Sequence, residues 1–146
     1  MKKFIFSLEK VFRFKSQQLD IAMNELALLR YELLEVENRL MATRIELEKK
    51  HISYQEQAAT GMTVLEIKEY QYFKETLTQQ IEAIEQERDA LKERIEKQLL
   101  VVLEFKKDVS GLEKLKEKQL EEYNEEVRKQ ETEFILELVS AKTVVT

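Results

Sequence analysis

A seven-residue repeat of apolar side chains runs through the first third of the chain and restricts its fold more than any other feature. Its main position is occupied by Phe12, Leu19, Leu26, Leu33, Leu40, Leu47 and Tyr54. A second position, four residues earlier in each heptad, also begins apolar but becomes polar at Thr43, Lys50 and Gln57. The sequence has no proline and only two glycines to interrupt a helix. A repeat sustained this long predicts a helix in a left-handed coiled coil, with looser packing where the second position is polar.

The second half of the chain carries a less regular version of this repeat. Its two lines are Ile84, Leu91, Gln98, Phe105 and Leu112, and Ile81, Arg88, Ile95, Val102 and Val109. Beyond Leu112 the spacing changes to four residues, at Lys116 and Leu120, which predicts a stutter in the supercoil. Gly111 lies beside this change, and glycine weakens a helix by roughly 1 kcal/mol relative to alanine. We therefore expect a bend or a weak point near residue 111.

Signals for the end of one helix and the start of the next surround Gly61. Glycine suits the left-handed conformation that follows a helix end. Thr63 and Glu66 have the spacing of a capping box, in which each side chain bonds the backbone amide of the other residue. These signals predict a tight turn between two helices. One continuous helix that tolerates Gly61 is the alternative.

A connection this short makes the two helices antiparallel neighbours. The predicted fold is all-α, a long antiparallel two-helix coiled-coil hairpin that forms a single domain over residues 1–146. We expect helix one at about 8–59, the turn at about 60–63 and helix two at about 64–141. Helix two then overhangs helix one from about residue 117, which leaves five apolar side chains without an intramolecular partner. They are Leu120, Tyr123, Val127, Phe134 and Leu138.

Composition excludes several classes of function. The absence of cysteine excludes disulfides and thiolate metal sites, and two glycines cannot build a phosphate-binding loop. A net charge of -5 argues against a general nucleic-acid binder. No apolar run approaches the roughly 20 residues that cross a bilayer, so we expect no direct membrane insertion and a cytoplasmic location. His51, the single histidine, is expected to be a solvated helix residue. We find no catalytic constellation, and we expect neither enzymatic activity nor a cofactor or metal.

A second apolar line, here called the outer stripe, lies about a third of a turn from the seam of helix one. It consists of Met23, Ala27, Leu34, Met41, Ile45 and Ile52. One interpretation is a core that is broadened toward the single neighbouring helix. The other is a surface for a third helix, which comes either from a second copy, in a weak homodimer, or from a different partner.

Aromatic side chains cluster just beyond the turn, where Tyr70, Phe73 and Leu77 share one helix face. They either close the end of the hairpin as seam residues or form a docking patch, since aromatic anchors dominate many interfaces. Charge also divides along the chain. Residues 1–17 are mainly basic, whereas the overhang is mostly acidic.

Three stretches of sequence resemble the FliJ family of flagellar type III export proteins. The first runs from Phe6 to Phe14, near the start of that family. The second is Gly61 followed by Tyr70-Gln71-Tyr72-Phe73 and Leu77. The third is Leu112-Glu113-Lys114-Leu115-Lys116 with Tyr123, Glu126, Arg128, Gln130-Glu131 and Glu137-Leu138 further on. Leu136 departs from the family, which often has aspartate at this position. The likeness covers essentially the whole chain.

The resemblance implies a non-catalytic component of the flagellar export apparatus. Such a protein enters the central pore of a hexameric export ATPase, like the shaft of a rotary ATPase, and promotes assembly of the ring. It also contacts the cytoplasmic domain of the export-gate membrane protein and interacts with export chaperones, so it associates peripherally with the inner face of the membrane. Carried over to this chain, the gate contacts are Tyr70, Phe73, Leu77, Gln80 and Ile84. The ATPase contacts are Phe4, Lys10, Arg13, Tyr123, Arg128 and Glu137.

Two other functions fit the same sequence features. A general coiled-coil holdase chaperone would clamp unfolded clients with the outer stripe. A self-assembling structural coiled coil would use the same stripe to pair its own copies.

Overall fold

The protein is an all-α antiparallel hairpin of two long helices. The computed structural model describes residues 2–145, with side chains up to residue 143. Helix α1 spans Glu9–Thr60 and helix α2 spans Val64–Val145, and residues 2–145 contain no strand. Compared with the predicted bounds, α1 begins and ends one residue later, and α2 ends four residues later. No helix among the described residues is both long enough and apolar enough to cross a membrane.

The turn has the local chemistry that the sequence predicts. Gly61 adopts a φ of 106°, in the left-handed region where a side chain would be strained. The amide of Glu66 donates to Thr63 Oγ1 at 3.2 Å, and the amide of Thr63 donates to Glu66 Oε2 at 3.4 Å. This capping box satisfies amides that a helix start otherwise leaves unpaired. The chain therefore reverses at Gly61, and the alternative of one continuous helix is wrong.

Contacts along the two helices divide the chain into two compact units. Unit 1 consists of Met1–Ile21 with Val102–Thr146, and unit 2 consists of Ala22–Val101. Each unit contains part of α1 and part of α2. The single domain proposed over residues 1–146 stays a prediction.

Unit 2 has a core built from the predicted heptad positions. The buried side chains are Ala22, Leu26, Val36 and Leu40 from α1, and Tyr70, Leu77 and Leu91 from α2. Gln98, a polar residue on an α2 seam line, donates from Nε2 to the backbone oxygen of Ala22 at 3.0 Å. At the edges of the seam, Arg39 holds both carboxylate oxygens of Glu87 at 2.9 Å. The predicted seam of unit 2 is confirmed, and the side-chain amide of Gln98 within it is hydrogen-bonded.

The two four-residue steps predicted beyond Leu112 are present in unit 1, but they lie further along α2 than expected. The partly buried positions run from Leu112 through Lys116 to Gln119 and then continue in steps of four to Tyr123 and Val127, whereas Leu120 is exposed. Long polar side chains can cover apolar surface with their stems while their head groups reach polar partners. Helix α2 also continues unbroken through Gly111.

The N-terminal segment, Lys2–Leu8, precedes α1 and covers part of the predicted overhang. The side chain of Phe6 is buried, and its backbone oxygen accepts a hydrogen bond from the amide of Glu9 at 3.1 Å. The Phe4 ring lies 5.6 Å from the Tyr123 ring, and the Tyr123 hydroxyl donates to the backbone oxygen of Lys2. The expectation that Tyr123 and Val127 lack intramolecular cover is therefore wrong, because both are partly buried. The exposed part of α2 begins at residue 128 and extends through 143.

Candidate protein-interaction surfaces

A stacked aromatic pair closes the end of the hairpin in unit 2. The rings of Tyr54 and Tyr70 are nearly parallel, with centroids 3.9 Å apart. His51 Nδ1 lies 2.9 Å from the Tyr70 hydroxyl, and Gln55 Nε2 lies 3.1 Å from His51 Nε2. His51 is exposed, as expected from the sequence, and its contact with Tyr70 in addition links α1 to α2.

The five residues assigned to the gate contact differ sharply in access. Tyr70 and Leu77 are buried in the seam between α1 and α2. Phe73 is partly buried, with Lys50 Nζ 4.8 Å from the centre of its ring. Ile84 is also partly buried, whereas Gln80 is exposed. Tyr70 and Leu77 are therefore part of the core of unit 2, while the side chains of Phe73 and Gln80 are accessible.

An open groove lies beside these residues and has a volume of about 490 Å³. Its walls come from both helices and include Lys50, Tyr54, Phe73 and Tyr72. Tyr72 is 74% exposed, which makes it the most accessible aromatic side chain of this end. The gate contacts that the family resemblance implies do not include Tyr72, which lies off the face shared by Tyr70, Phe73 and Leu77. The groove is lined by aromatic rings, the ammonium group of Lys50 and several polar side chains.

The outer stripe is a surface in unit 2. Its exposed side chains range from Met23 at 44% to Met41 at 63%, with Leu34 at 53%. Ala27, Ile45 and Ile52 are exposed as well. The stripe is therefore not a widening of the core, and α2 leaves it open within unit 2. What binds there stays a prediction.

The six residues assigned to the ATPase contact all belong to unit 1 and fall into two groups. Phe4 and Tyr123 are engaged with each other, as described above. The other four are exposed and charged: Lys10, Arg13, Arg128 and Glu137. Arg13 Nε lies 3.5 Å from Glu9 Oε1, and Arg128 Nε donates to the backbone oxygen of Asn124 at 3.4 Å.

A terminal apolar cluster on α2 was only partly recognised from the sequence. It consists of Phe134, Ile135, Leu136, Leu138 and Val139, each more than half exposed. The heptad pattern identified Phe134 and Leu138 alone, because the other three fall off the extrapolated seam. Five large apolar side chains within six positions spread over more than one face of the helix, unlike the narrow stripe of a coiled-coil seam.

An ion pair ties the start of α1 to α2 in unit 1. Lys116 Nζ lies 3.0 Å from Glu9 Oε2 and 5.6 Å from the centre of the Phe12 ring. The hydrogen bond from Lys116 lowers the pKa of Glu9, and the charges of Lys116 and Arg13 act in the same direction. Lys15 forms a similar link, with its Nζ 3.2 Å from Asp108 Oδ2. Both pairs link α1 to α2 within unit 1.

The family model described as "Flagellar FliJ protein" matches residues 4–140. The chain belongs to the FliJ family. The match covers the N-terminal segment, both helices and the terminal apolar cluster. No curated protein and no solved structure gave a match to the chain.

Membership of the FliJ family makes this a flagellar export-related protein. FliJ proteins are structural or export components, and the family is not known as one of enzymes. The features described above are exposed apolar, aromatic and charged surfaces. Among the described residues, no group of three or more His, Asp or Glu side chains is placed to hold a metal ion.

Proposed function

We propose that this FliJ-family protein is a stalk and adaptor of the flagellar type III export apparatus. Part of it enters the central pore of the export ATPase hexamer, and another part engages the cytoplasmic domain of the export-gate membrane protein. It also interacts with export chaperones and works in the cytoplasm at the inner face of the membrane. The observation that carries the proposal is the family match over residues 4–140.

The terminal apolar cluster of unit 1 supports insertion into a ring. Helices owe most of their stability in water to packing, yet residues 128–143 of α2 are exposed throughout. A flat partner surface would cover only some of the cluster, because at 100° per residue its side chains spread over about 200° of the helix circumference. A ring pore covers a helix on all sides. The exposed charges of Lys10, Arg128 and Glu137 add polar contacts to the same unit.

Reconstitution with the purified export ATPase tests this role. The protein is expected to promote hexamer assembly and raise ATP turnover. The double variant Phe134→Ala/Leu138→Ala should lose this stimulation and keep its helical content, since both side chains are exposed. Ile52→Ala in unit 2 is the matched control, because it also truncates an apolar side chain that is about half exposed. This variant should stimulate the ATPase normally. Unchanged oligomerisation and turnover with the unmodified protein would contradict the stalk proposal.

The aromatic end of the hairpin supports the gate contact. Phe73 borders the open groove, and Tyr72 and Gln80 are exposed nearby, so a partner can reach all three. Phe73→Ala is expected to weaken binding of the gate domain at least about tenfold without loss of helicity. Gln71→Ala, also at an exposed position, should bind normally. Equal affinities of the Phe73 variant and the unmodified protein would exclude Phe73 from the contact.

The outer stripe favours a holdase chaperone as the second candidate function. Exposed apolar surface of this kind could hold unfolded clients without a specific partner. A holdase would suppress aggregation of unrelated proteins, whereas a stalk and adaptor should act only on export components. Aggregation assays with two unrelated clients separate the two functions.

A further inference from the structure

The apolar residues of the outer stripe are arranged symmetrically about Leu34. Ala27 and Met41 each lie seven residues from Leu34, and Met23 and Ile45 each lie eleven residues away. All five are exposed on α1 within unit 2. A two-fold axis at Leu34 would place Leu34 against itself, Ala27 against Met41, and Met23 against Ile45. Such an arrangement is self-complementary, because Leu34 meets its own copy and the small Ala27 meets the larger Met41.

The charges beside the stripe have the same symmetry. Arg30 and Glu37 lie on one edge of the stripe, seven residues apart and on either side of Leu34. When two helices pack antiparallel, each edge meets the same edge of the other helix, so Arg30 of one copy would face Glu37 of the other, twice per pair. Neither residue forms an ion pair within the described part of its own chain, unlike neighbouring Arg39. Both charges are therefore available to a second copy.

The opposite edge is compatible with the same pairing. Tyr31 and Asn38 lie there, also seven residues apart, and would face each other across the axis. No like charges meet on either edge of this central region. A parallel pair would instead bring Arg30 beside Tyr31 and Glu37 beside Asn38, and both charges would remain without partners. An unrelated partner would require no symmetry in the stripe at all.

We propose that the outer stripe is a homodimer interface in which two copies pack α1 against α1, antiparallel around Leu34. The interface uses one face of one helix in each copy, so we expect it to be small compared with a standard interface of roughly 800 Å² per partner. The dimer is accordingly weak, with a dissociation constant on the order of micromolar or higher. It goes beyond the proposed export role, whose ATPase contacts belong to unit 1.

Sedimentation of the full chain over a range of concentrations tests for this dimer. Leu34→Glu changes the side chain on the two-fold axis in both copies and should raise the dissociation constant at least about a hundredfold. Leu28→Glu is the matched control, because Leu28 is 64% exposed but lies off the stripe, and it should leave the dimer intact. Circular dichroism should show the same helical content in both variants. A chain that stays monomeric at every concentration, or equal effects of the two variants, would overturn the proposal.

Charge reversal tests the orientation. Arg30→Glu and Glu37→Arg should each weaken the dimer, because each places like charges opposite one another. The double variant restores both pairs with reversed sign and should recover most of the affinity. If the double variant is weaker than both single variants, Arg30 and Glu37 do not face each other.

Spin labels give an independent measure of the orientation, since the chain has no cysteine of its own. Labels at Glu35→Cys or Glu46→Cys lie on one exposed side of α1, away from the stripe. At 1.5 Å per residue, an antiparallel pair separates the two copies of position 35 by about 3 Å along the axis, and those of position 46 by about 36 Å. The distance between copies should therefore be much longer for position 46. Equal distances would indicate a parallel pair and refute the proposal.

Discussion

Truncation of Phe6 should detach the N-terminal segment while the two helices stay paired. Phe6 is 5% exposed, and removing a buried phenylalanine ring costs about 3–5 kcal/mol. Fixing the backbone of the segment costs conformational entropy, so its attachment depends on contacts of this size. The other contacts that hold the segment are few, chiefly those of Phe4 and Lys2 with Tyr123. Phe6→Ala removes the one buried side chain of the segment and should therefore release it.

Amide hydrogen exchange resolved by residue measures the effect. The amide of Glu9 bonds the backbone oxygen of Phe6, so its protection reports directly on the attached segment. At about 1.4 kcal/mol per tenfold change, loss of the ring should reduce this protection by about a hundredfold or more, down to the limit of an open chain. The amide of Leu40, in the core of unit 2, should keep its protection.

A matched variant and a clear contrary result complete the test. Ile5→Ala truncates the neighbouring side chain, which is 82% exposed, and should change neither amide. If Phe6→Ala lowers the protection of Glu9 and Leu40 equally, the segment unfolds only with the whole protein and the reasoning is wrong. If neither amide changes, the burial of Phe6 contributes nothing to holding the segment.

Three further predictions concern the turn, the helix interior and the ion pair. Gly61→Ala should destabilise the protein by about 1 kcal/mol or more, because alanine is strained at a φ of 106°, and calorimetry would show a lower melting temperature. Gly111→Ala should raise stability by about 0.5–1 kcal/mol in the same assay, since a Cβ there meets no atom within 4 Å; a lower melting temperature would contradict this. Because Lys116 lowers the pKa of Glu9 in the folded protein, their pair stabilises it above the ordinary glutamate pKa, and this contribution disappears as the pH falls through the lowered value. Glu9→Gln should remove this part of the acid dependence of urea unfolding, and an unchanged pH profile would count against the pair.

The sequence predicted the hairpin because apolar periodicity and turn chemistry are local signals. Each seam position of α1 can be recognised from residues seven places away, and Gly61, Thr63 and Glu66 identify the turn within a few residues. Both signals persist in the structure because the interactions they describe are short-range along the chain. Residue-level contacts with partners do not leave such a signal, so they remain proposals.

The features that sequence reasoning missed depend on contacts between distant residues. Lys2–Ser7 lie outside the heptad repeat, so periodicity could not predict the burial of Phe6. The stutter was placed at Lys116 because this lysine was treated as a break in an apolar line. Its ammonium in fact pairs with Glu9 and lies over Phe12, so the lysine fills a seam position. His51 was judged by its lack of neighbours in sequence, whereas Tyr70 reaches it from the other helix.

The two units differ in the kind of interaction that holds them, and this difference bears on function. Among the residues whose side chains the structure describes, unit 2 contains seven of the nine buried apolar side chains, and unit 1 contains Phe6 and Val102. Two ion pairs also join the helices of unit 1, and their Lys15 and Lys116 side chains remain a third or more exposed. Exposed pairs of this kind contribute little stability and are weakened by salt. Segments that bind partners usually come from the less stable parts of a structure, because they must open or rearrange at low cost. The smaller number of buried side chains in unit 1 therefore suits the proposed stalk, whose terminal segments would rearrange when a ring assembles around them.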